Sequence, residues 1–230
     1  MEALLLGGGR GERLGDAAAG LPKPLVPVGG RPLAAYMVAR LAAAGVSRVI
    51  VACAAGQEEL FLQALSGLGA EIATAGEPEP LGRGGGLRHA AGQRLEPGPV
   101  YALNGDELVD VDFGELLEHH VSAGAAATIT VVPLQSPFGV VEIDGDSVAA
   151  FREAPQLPHW VSCGVYVLDE EAIARLPERG DHETTTFPEL AAEGRLRAFR
   201  HEGTWITVNT PKDLRRAEEL AAEHPEWLSA

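Results

Sequence analysis

Lys23 stands between Pro22 and Pro24, ten residues after Arg13, and Arg13 closes a run in which Gly7, Gly8, Gly9 and Gly11 are interspersed with Arg10 and Glu12. Glycines with no side-chain bulk let backbone N–H groups approach an anion closely, and oriented amides favour negative charge. Arginine grips phosphate oxygens in a fork, while lysine acts as a compact point charge. Leu4 to Leu6 read as the end of a buried strand running into this loop. A strand, a glycine loop, an arginine and a proline-locked lysine are the parts of a nucleoside triphosphate site. The P-loop pattern GxxxxGK[ST] is absent, and a dinucleotide fingerprint fits only in part and leaves Lys23 unexplained. The competing reading is a tight strand-to-helix turn with solvated arginines.

Lys23 gains weight from composition. Of 18 basic residues only Lys23 and Lys212 are lysine, leaving 16 arginines. Lys212 reads as a charge on a helix surface. The net charge of −15 excludes a broad nucleic-acid surface, so the positive groups that do chemistry must be local. No apolar run approaches a membrane span, and Cys53 and Cys163 are too few for a disulfide framework or a CxxC metal site. The N-terminus lacks the pattern of a signal peptide. These features predict a reduced, cytoplasmic protein with no membrane or nucleic-acid partner.

Elements of α/β type must carry these residues. Ala3–Leu6, Arg48–Ala52, Glu71–Thr74 and Val100–Leu103 are predicted strands. Between them, a helix follows Pro32 with Leu33, Tyr36, Met37, Leu41 and Ala44 in helical period, and Glu58–Leu65 and Gly86–Arg94 read as two more. Strands separated by such helices imply βαβ units and a mostly parallel sheet. Asp112 is placed to cap a helix through Phe113, Leu116 and Leu117, with His119 and His120 expected at solvent or at the helix C-terminal dipole. After about residue 125 the pattern turns strand-like, at Ala127–Val132, Gly139–Ile143, Ser147–Phe151 and Val161–Leu168. Glu170–Leu176 and the stretch around Pro188–Ala192 offer helix there, and a turn at Gly145 makes a hairpin. Thr210-Pro211-Lys212-Asp213 is a helix start with a cap, a proline at the first position and an acid in the first turn.

GGGRGERL followed by LPKPLVPVGGRPL resembles the signature of the sugar-1-phosphate nucleotidyltransferases, two motifs in order at a compatible spacing. The resemblance implies that Gly7, Gly8, Gly9 and Gly11 line the triphosphate, that Arg13 holds the departing pyrophosphate and that Lys23 meets the α-phosphate. Glu12 departs from the family pattern, which has Thr or Ser there. PLGRGGGLRHA looks like the family loop that reads the base through its backbone, which puts Gly82 and Gly85 beside base or ribose. Arg83 stands where a threonine is common, as a group that stacks on the base or hydrogen-bonds a purine edge, or as a solvated loop charge.

LNGDELVDVD matches next. A strand rising into Asn104-Gly105-Asp106 places Asp106 at the carboxyl end of a parallel sheet, where open α/β folds bind ligands. One carboxylate there suits Mg²⁺, which takes one or two carboxylates plus phosphate oxygens and water. Asp110 and Asp112 read as capping or solvated acids. FGVVEIDGDSVAAFREAP resembles the family segment in which Gly139 passes close to the sugar and Glu153 binds its hydroxyls, although Ala154 replaces a lysine. WVSCGVYVL is similar to a family strand, with Ser162 in place of an asparagine facing the sugar and Tyr166 in the core. HEGTWITVNTPKDL resembles the family's closing motif. Thr207 replaces its metal-binding aspartate, and Asn209, two residues on, becomes the second metal ligand beside Asp106. A cap or turn role for Asn209 competes evenly. Trp160 and Trp205 read as packing residues.

The chain is thus similar to the short single-domain members of this family, such as mannose- or heptose-1-phosphate guanylyltransferases and N-acetylmuramate-1-phosphate uridylyltransferases. The expected fold is one α/β domain over 1–230 with a Rossmann-like, mostly parallel or mixed sheet flanked by helices. Residues 1–125 are expected to bind nucleotide and 126–230 the sugar phosphate. The expected reaction is Mg²⁺-dependent transfer of a nucleotidyl group from an NTP to a sugar 1-phosphate, with Arg13, Lys23 and Asp106 as the catalytic set. Two alternatives stay open: a cytidylyltransferase acting on a polyol or inositol phosphate, and a silent nucleotide-binding regulator. Base, sugar and oligomeric state are open too, and a homo-oligomer is compatible with the sequence.

Overall fold

The computed structural model describes residues 1–9, 14–15, 18 and 20–228. In chain order the strands are β1 (Glu2–Leu6), β2 (Pro27–Val28), β3 (Arg31–Pro32), β4 (Arg48–Ala54), β5 (Glu71–Glu77), β6 (Val100–Asn104), β7 (Glu107–Val109), β8 (Ala127–Gln135), β9 (Val140–Asp144), β10 (Ser147–Arg152), β11 (Gln156–Leu168), β12 (Leu196–Arg200) and β13 (Trp205–Thr207). The helices are α1 (Leu33–Ala43), α2 (Glu58–Leu65), α3 (Gly82–Ala91), α4 (Phe113–Ser122), α5 (Glu170–Ala174), α6 (Thr186–Ala192) and α7 (Pro211–Glu223).

Seven strands form one sheet in the order β12-β8-β11-β6-β1-β4-β5. β5, β4, β1 and β6 pair in parallel, β12 pairs in parallel with β8, and β11 runs against both its neighbours. The predicted mixed α/β sheet is therefore what forms. Strands from both sides of residue 125 share it, because β11 pairs with β6.

The sheet is buried on both faces, and its period of two divides the core. Ala3, Leu5, Val49, Val51, Tyr101 and Leu103 point to a layer with α1, α2, α4 and α7. Leu4, Leu6, Ile50, Ala52, Val100 and Ala102 point to a layer with α3, α5 and α6. Both cysteines are free thiols buried in this core.

Local signals set the helix starts. Asp112 accepts the Glu115 N–H at 3.0 Å and caps α4. Thr210 and Asp213 form a reciprocal capping box at α7. The β9–β10 hairpin turns at Gly145, at φ +57°. α3 begins at Gly82, earlier than the sequence suggests, and β12 was not anticipated at all. β12 is a five-residue edge strand containing two arginines, a composition that hides strand character while keeping an exposed edge soluble.

The histidines of α4 lie in its last turn, at the dipole end the sequence offers, but they pack inward and so correct the expectation of solvent. His120 is buried, with Nδ1 2.9 Å from Thr128 Oγ1, and the His119 ring packs edge-on against Phe199. The helix end lies on the sheet instead of facing water.

Candidate active site

The parallel strands β1, β4, β5 and β6 all end on one edge of the sheet, and the segments that follow β1, β4 and β5 build a cleft of about 710 Å³. Gly8, Gly9, Gly20, Leu21 and Pro22 form one wall, and Glu77 to Pro80 form the opposite one. The glycines differ in what surrounds them. A Cβ on Gly7 would lie 2.8 Å from Ala52 O and 2.9 Å from the Phe61 ring, so Gly7 is a packing glycine where β1 crosses β4. Gly8 and Gly9 face open space, and Gly9 adopts φ +112°. Their backbone is the part of the loop exposed to a ligand. Gly11 and Arg13 lie outside the described residues.

Lys23 is tied into this wall. Its N–H donates to Gly9 O at 3.2 Å, and the Pro22–Leu25 segment makes a tight 3-10 turn. The proline before and after Lys23 restricts the backbone that carries the ammonium. Lys23 is almost fully buried. Its Nζ donates to the Asp106 carboxylate and, at 2.8 Å, to Asn209 Oδ1. Three positions far apart in sequence thus meet at one atom.

Asp106 sits just past β6. Gly105 makes this possible: its N–H donates to Leu6 O at 3.1 Å, and a Cβ there would strike Pro24. Asn209 follows β13, whose antiparallel partner is β7, the strand directly after Asp106. The Val208 N–H donates to Asp106 O at 3.0 Å, so the residue just before Asn209 is tied to the backbone of Asp106. Among the described residues no cluster of three or more His, Cys, Asp or Glu could cage a metal. Asp106 and Asn209 nevertheless direct two oxygens to one point. That oxygen pair suits a hard divalent cation that also binds phosphate.

Glu107, beside Asp106, was not singled out from the sequence. Its side chain is buried, and the Trp205 indole N–H donates to Oε2 at 2.8 Å. Burial pushes its carboxyl up to about 8, with the Asp106 charge adding to the shift. Trp205 is therefore a hydrogen-bond donor as well as packing. Position next to Asp106 was the signal available in the sequence, and the pairing of β7 with β13 made it meaningful.

Other predicted residues fall into two groups. Gly139 and Glu153 come together at the base of the β9–β10 hairpin, where a Cβ on Gly139 would lie 3.1 Å from Glu153 Oε2. Ser162 donates to Tyr166 at 3.4 Å, and the Tyr166 hydroxyl donates to Glu183 Oε1 at 2.9 Å. Arg83 pairs with Asp181 and, at 2.7 Å, with Glu183. Arg83 is thus neither a lone solvated charge nor a free stacking group. A Cβ on Gly82 would lie 2.6 Å from Gly180 O, and one on Gly85 2.6 Å from Glu178 O, so these glycines let α3 start against the 178–180 turn. Trp160 stands at the surface with the Arg200 guanidinium 5.3 Å above its ring, which corrects its reading as packing.

Residues 2–224 match the model of the nucleotidyl transferase family. A mannose-1-phosphate guanyltransferase beta-A from Xenopus laevis is 32% identical over 246 aligned positions, which span all of this chain and 68% of that protein. A mannose-1-phosphate guanylyltransferase from Mycobacterium tuberculosis is 34% identical, covering 94% of this chain and 63% of that protein. The crystal structure of HddC from Yersinia pseudotuberculosis with GMP-PN superposes with a TM-score of 0.74 at 23% identity, covering 95% of this chain and 98% of that one. The last comparison speaks for the fold.

Proposed function

We infer the function from one premise: the chain belongs to the nucleotidyl transferase family, and within it to the sugar-1-phosphate nucleotidyltransferases. In our reading, a phosphate oxygen of a sugar 1-phosphate attacks the α-phosphorus of an NTP. A new P–O bond forms, the bond from the α-phosphorus to the bridging oxygen breaks, and pyrophosphate leaves with that oxygen. The nucleophile is already anionic, so no protein base is needed. Catalysis is positioning plus neutralisation of charge.

The observation that carries this reading is the convergence of Lys23, Asp106 and Asn209 beside the open backbone of Gly8 and Gly9. Gly8, Gly9 and Gly11 would receive the triphosphate on their N–H groups, with Gly7 seating the loop. Lys23 would leave its resting partners for the α-phosphate. Arg13 would hold the departing pyrophosphate. Asp106 and Asn209 would hold Mg²⁺, which when bound neutralises phosphate oxygens. Gly82 and Gly85 would shape the loop beside the base. Gly139, Glu153 and Ser162 would take the sugar. The cytoplasm, where NTPs are made, is the proposed location, and the described helices include none long and apolar enough to cross a membrane.

The curated relatives are named mannose-1-phosphate guanylyltransferases, so we propose GTP and mannose 1-phosphate as the first pair to try. The test is pyrophosphate release with Mg²⁺ across each NTP and a panel of sugar 1-phosphates. Release with one pair, lost in Asp106→Ala, supports the reading. Nucleotide binding without release from any pair would overturn it in favour of a silent sensor, and release with a polyol phosphate and CTP alone would replace the substrate class.

A further inference from the structure

The Asn209 carboxamide has two faces of opposite character, and its use as an oxygen ligand requires that the oxygen point inward. Lys23 supplies one constraint, since an ammonium can only donate and therefore takes Oδ1, at 2.8 Å. The second constraint lies on the other side. Asn209 Nδ2 donates to Thr207 Oγ1 at 2.9 Å. A hydroxyl can accept from this amide only on a lone pair, so its own proton must be directed elsewhere. The Glu107 carboxyl is the neighbouring acceptor for that proton, because Glu107 stands directly opposite Thr207 in the β7–β13 ladder, which puts the two side chains on one face. Glu107 is in turn anchored by the Trp205 indole N–H at 2.8 Å.

These contacts form one line from Trp205 through Glu107, Thr207 and Asn209 to Lys23. Asn209 is further fixed at its backbone, where its N–H donates to Asp213 Oδ2 at 3.1 Å in the capping box of α7. The backbone bond sets where Asn209 sits but leaves the side-chain amide free to turn over. Among the described residues, the Thr207 hydroxyl and the Lys23 ammonium are the groups that choose between its two orientations. When Lys23 moves to a phosphate, Thr207 is the one that remains.

We infer that Thr207 is a positioning residue whose hydroxyl, facing Glu107, keeps Asn209 Oδ1 toward the Lys23–Asp106 centre after Lys23 has turned to substrate. This rests on the reading of Asp106 and Asn209 given above. A hydrogen-bonded partner behind a metal ligand typically changes metal affinity or activity about 10–100-fold when removed. Valine has the shape of threonine and suits a strand, so Thr207→Val removes the hydroxyl and little else. Without it, the amide is free to present Nδ2, which repels a cation.

The experiment compares wild type, Thr207→Val, Thr207→Ser, Asn209→Ala and Asp106→Ala. Binding of Mn²⁺ in the presence of a non-hydrolysable GTP analogue is followed by electron paramagnetic resonance of the free ion. Pyrophosphate release gives kcat and KM, and thermal melting reports the fold. The expected result is about tenfold weaker Mn²⁺ binding in Thr207→Val. Its kcat should fall in parallel, with KM for the NTP within about twofold, an unchanged melt and recovery in Thr207→Ser. A purely structural role would move the melt and not the Mn²⁺ affinity. Wild-type Mn²⁺ binding and kcat in Thr207→Val, with Asn209→Ala impaired, would overturn this inference alone. Undiminished Mn²⁺ binding in Asn209→Ala would overturn the role of Asn209 and the inference with it. Undiminished turnover in Asp106→Ala would instead overturn the reading of the site. Should Thr207→Val melt early, Thr207→Ala read at a temperature where it is folded decides by the same Mn²⁺ criterion.

Discussion

The Lys23 ammonium and the Asp106 carboxylate, 83 residues apart, form a mostly buried ion pair at the carboxyl end of the sheet. Neither charge can be there alone without cost, because an unpaired charge out of water is strongly penalised. In the proposed reading the pair also stores the site: the lysine and the oxygen ligand would keep one another in place until substrate took both.

Lys23→Ala should lower kcat by about 10²-fold or more, the size of effect seen when one preorganised charge or donor to a transition state is removed. KM for the NTP should change far less. Steady-state pyrophosphate release checks this, and an unchanged kcat with weaker binding would mean that Lys23 only docks the nucleotide.

Chelation of divalent ions should abolish turnover, and Mg²⁺ should restore it. Asp106→Asn should raise the Mg²⁺ concentration needed for half-maximal rate by at least about tenfold, since a charged oxygen ligand is exchanged for a neutral one. A Mg²⁺ dependence identical to wild type would remove Asp106 from the metal site.

Two adjacent glycines should behave differently. Gly7→Ala puts a methyl 2.8 Å from Ala52 O and should cost about 1–3 kcal/mol by overpacking, visible as a lower melting temperature. Gly8→Ala meets nothing within 4 Å and should melt like wild type while raising KM for the NTP. Equal melts for both would show that β1 yields at Gly7.

Glu153→Gln should raise KM for the sugar 1-phosphate by about tenfold or more, the size of one charge-assisted hydrogen bond, and leave KM for the NTP alone. An equal rise for both substrates would place Glu153 outside a dedicated sugar site.

His182 is fully buried between Tyr166 and Phe187, with both ring nitrogens lacking a hydrogen-bond partner among the described residues and the Asp181 carboxylate 3.8 Å from Nδ1. Burial holds its imidazole down to about 4, against an ordinary value of 6.5. Between these values the unfolded chain binds a proton that the fold refuses. Stability is therefore full above pH 6.5 and is lost as pH falls toward 4, by about 3 kcal/mol at most. Melting of wild type and His182→Phe at pH 7 and pH 5 tests this. Parallel losses in both proteins would assign the acid sensitivity to other groups.

Much of the architecture was legible because it follows local rules. Leu4–Leu6 and Arg48–Ala52 are continuous apolar runs, as strands buried on both faces must be. Asp112 and Thr210 announce their helices by side chains that satisfy nearby N–H groups. β12 escaped notice because an edge strand rich in arginine reads as a solvated loop. His120 escaped because its burial depends on Thr128, a partner from the next strand.

The site divides in the same way. By itself the sequence determined the parts: a glycine loop after a strand, a lysine between prolines, an acid after Asn104-Gly105 and a capped helix after Asn209. Residue type, chain stiffness and short spacing suffice for these. Only the tertiary structure decided which parts meet. It separated Gly7, which packs, from Gly8 and Gly9, which face the cleft, and it set Gly82 and Gly85 against the 178–180 turn. It tied Arg83 to Asp181 and Glu183. It brought Glu107 and Thr207 opposite one another behind Asn209. The reason is physical: these outcomes depend on strand register and on contacts between residues up to about 190 positions apart, and the energy of such contacts exists only once the sheet has closed.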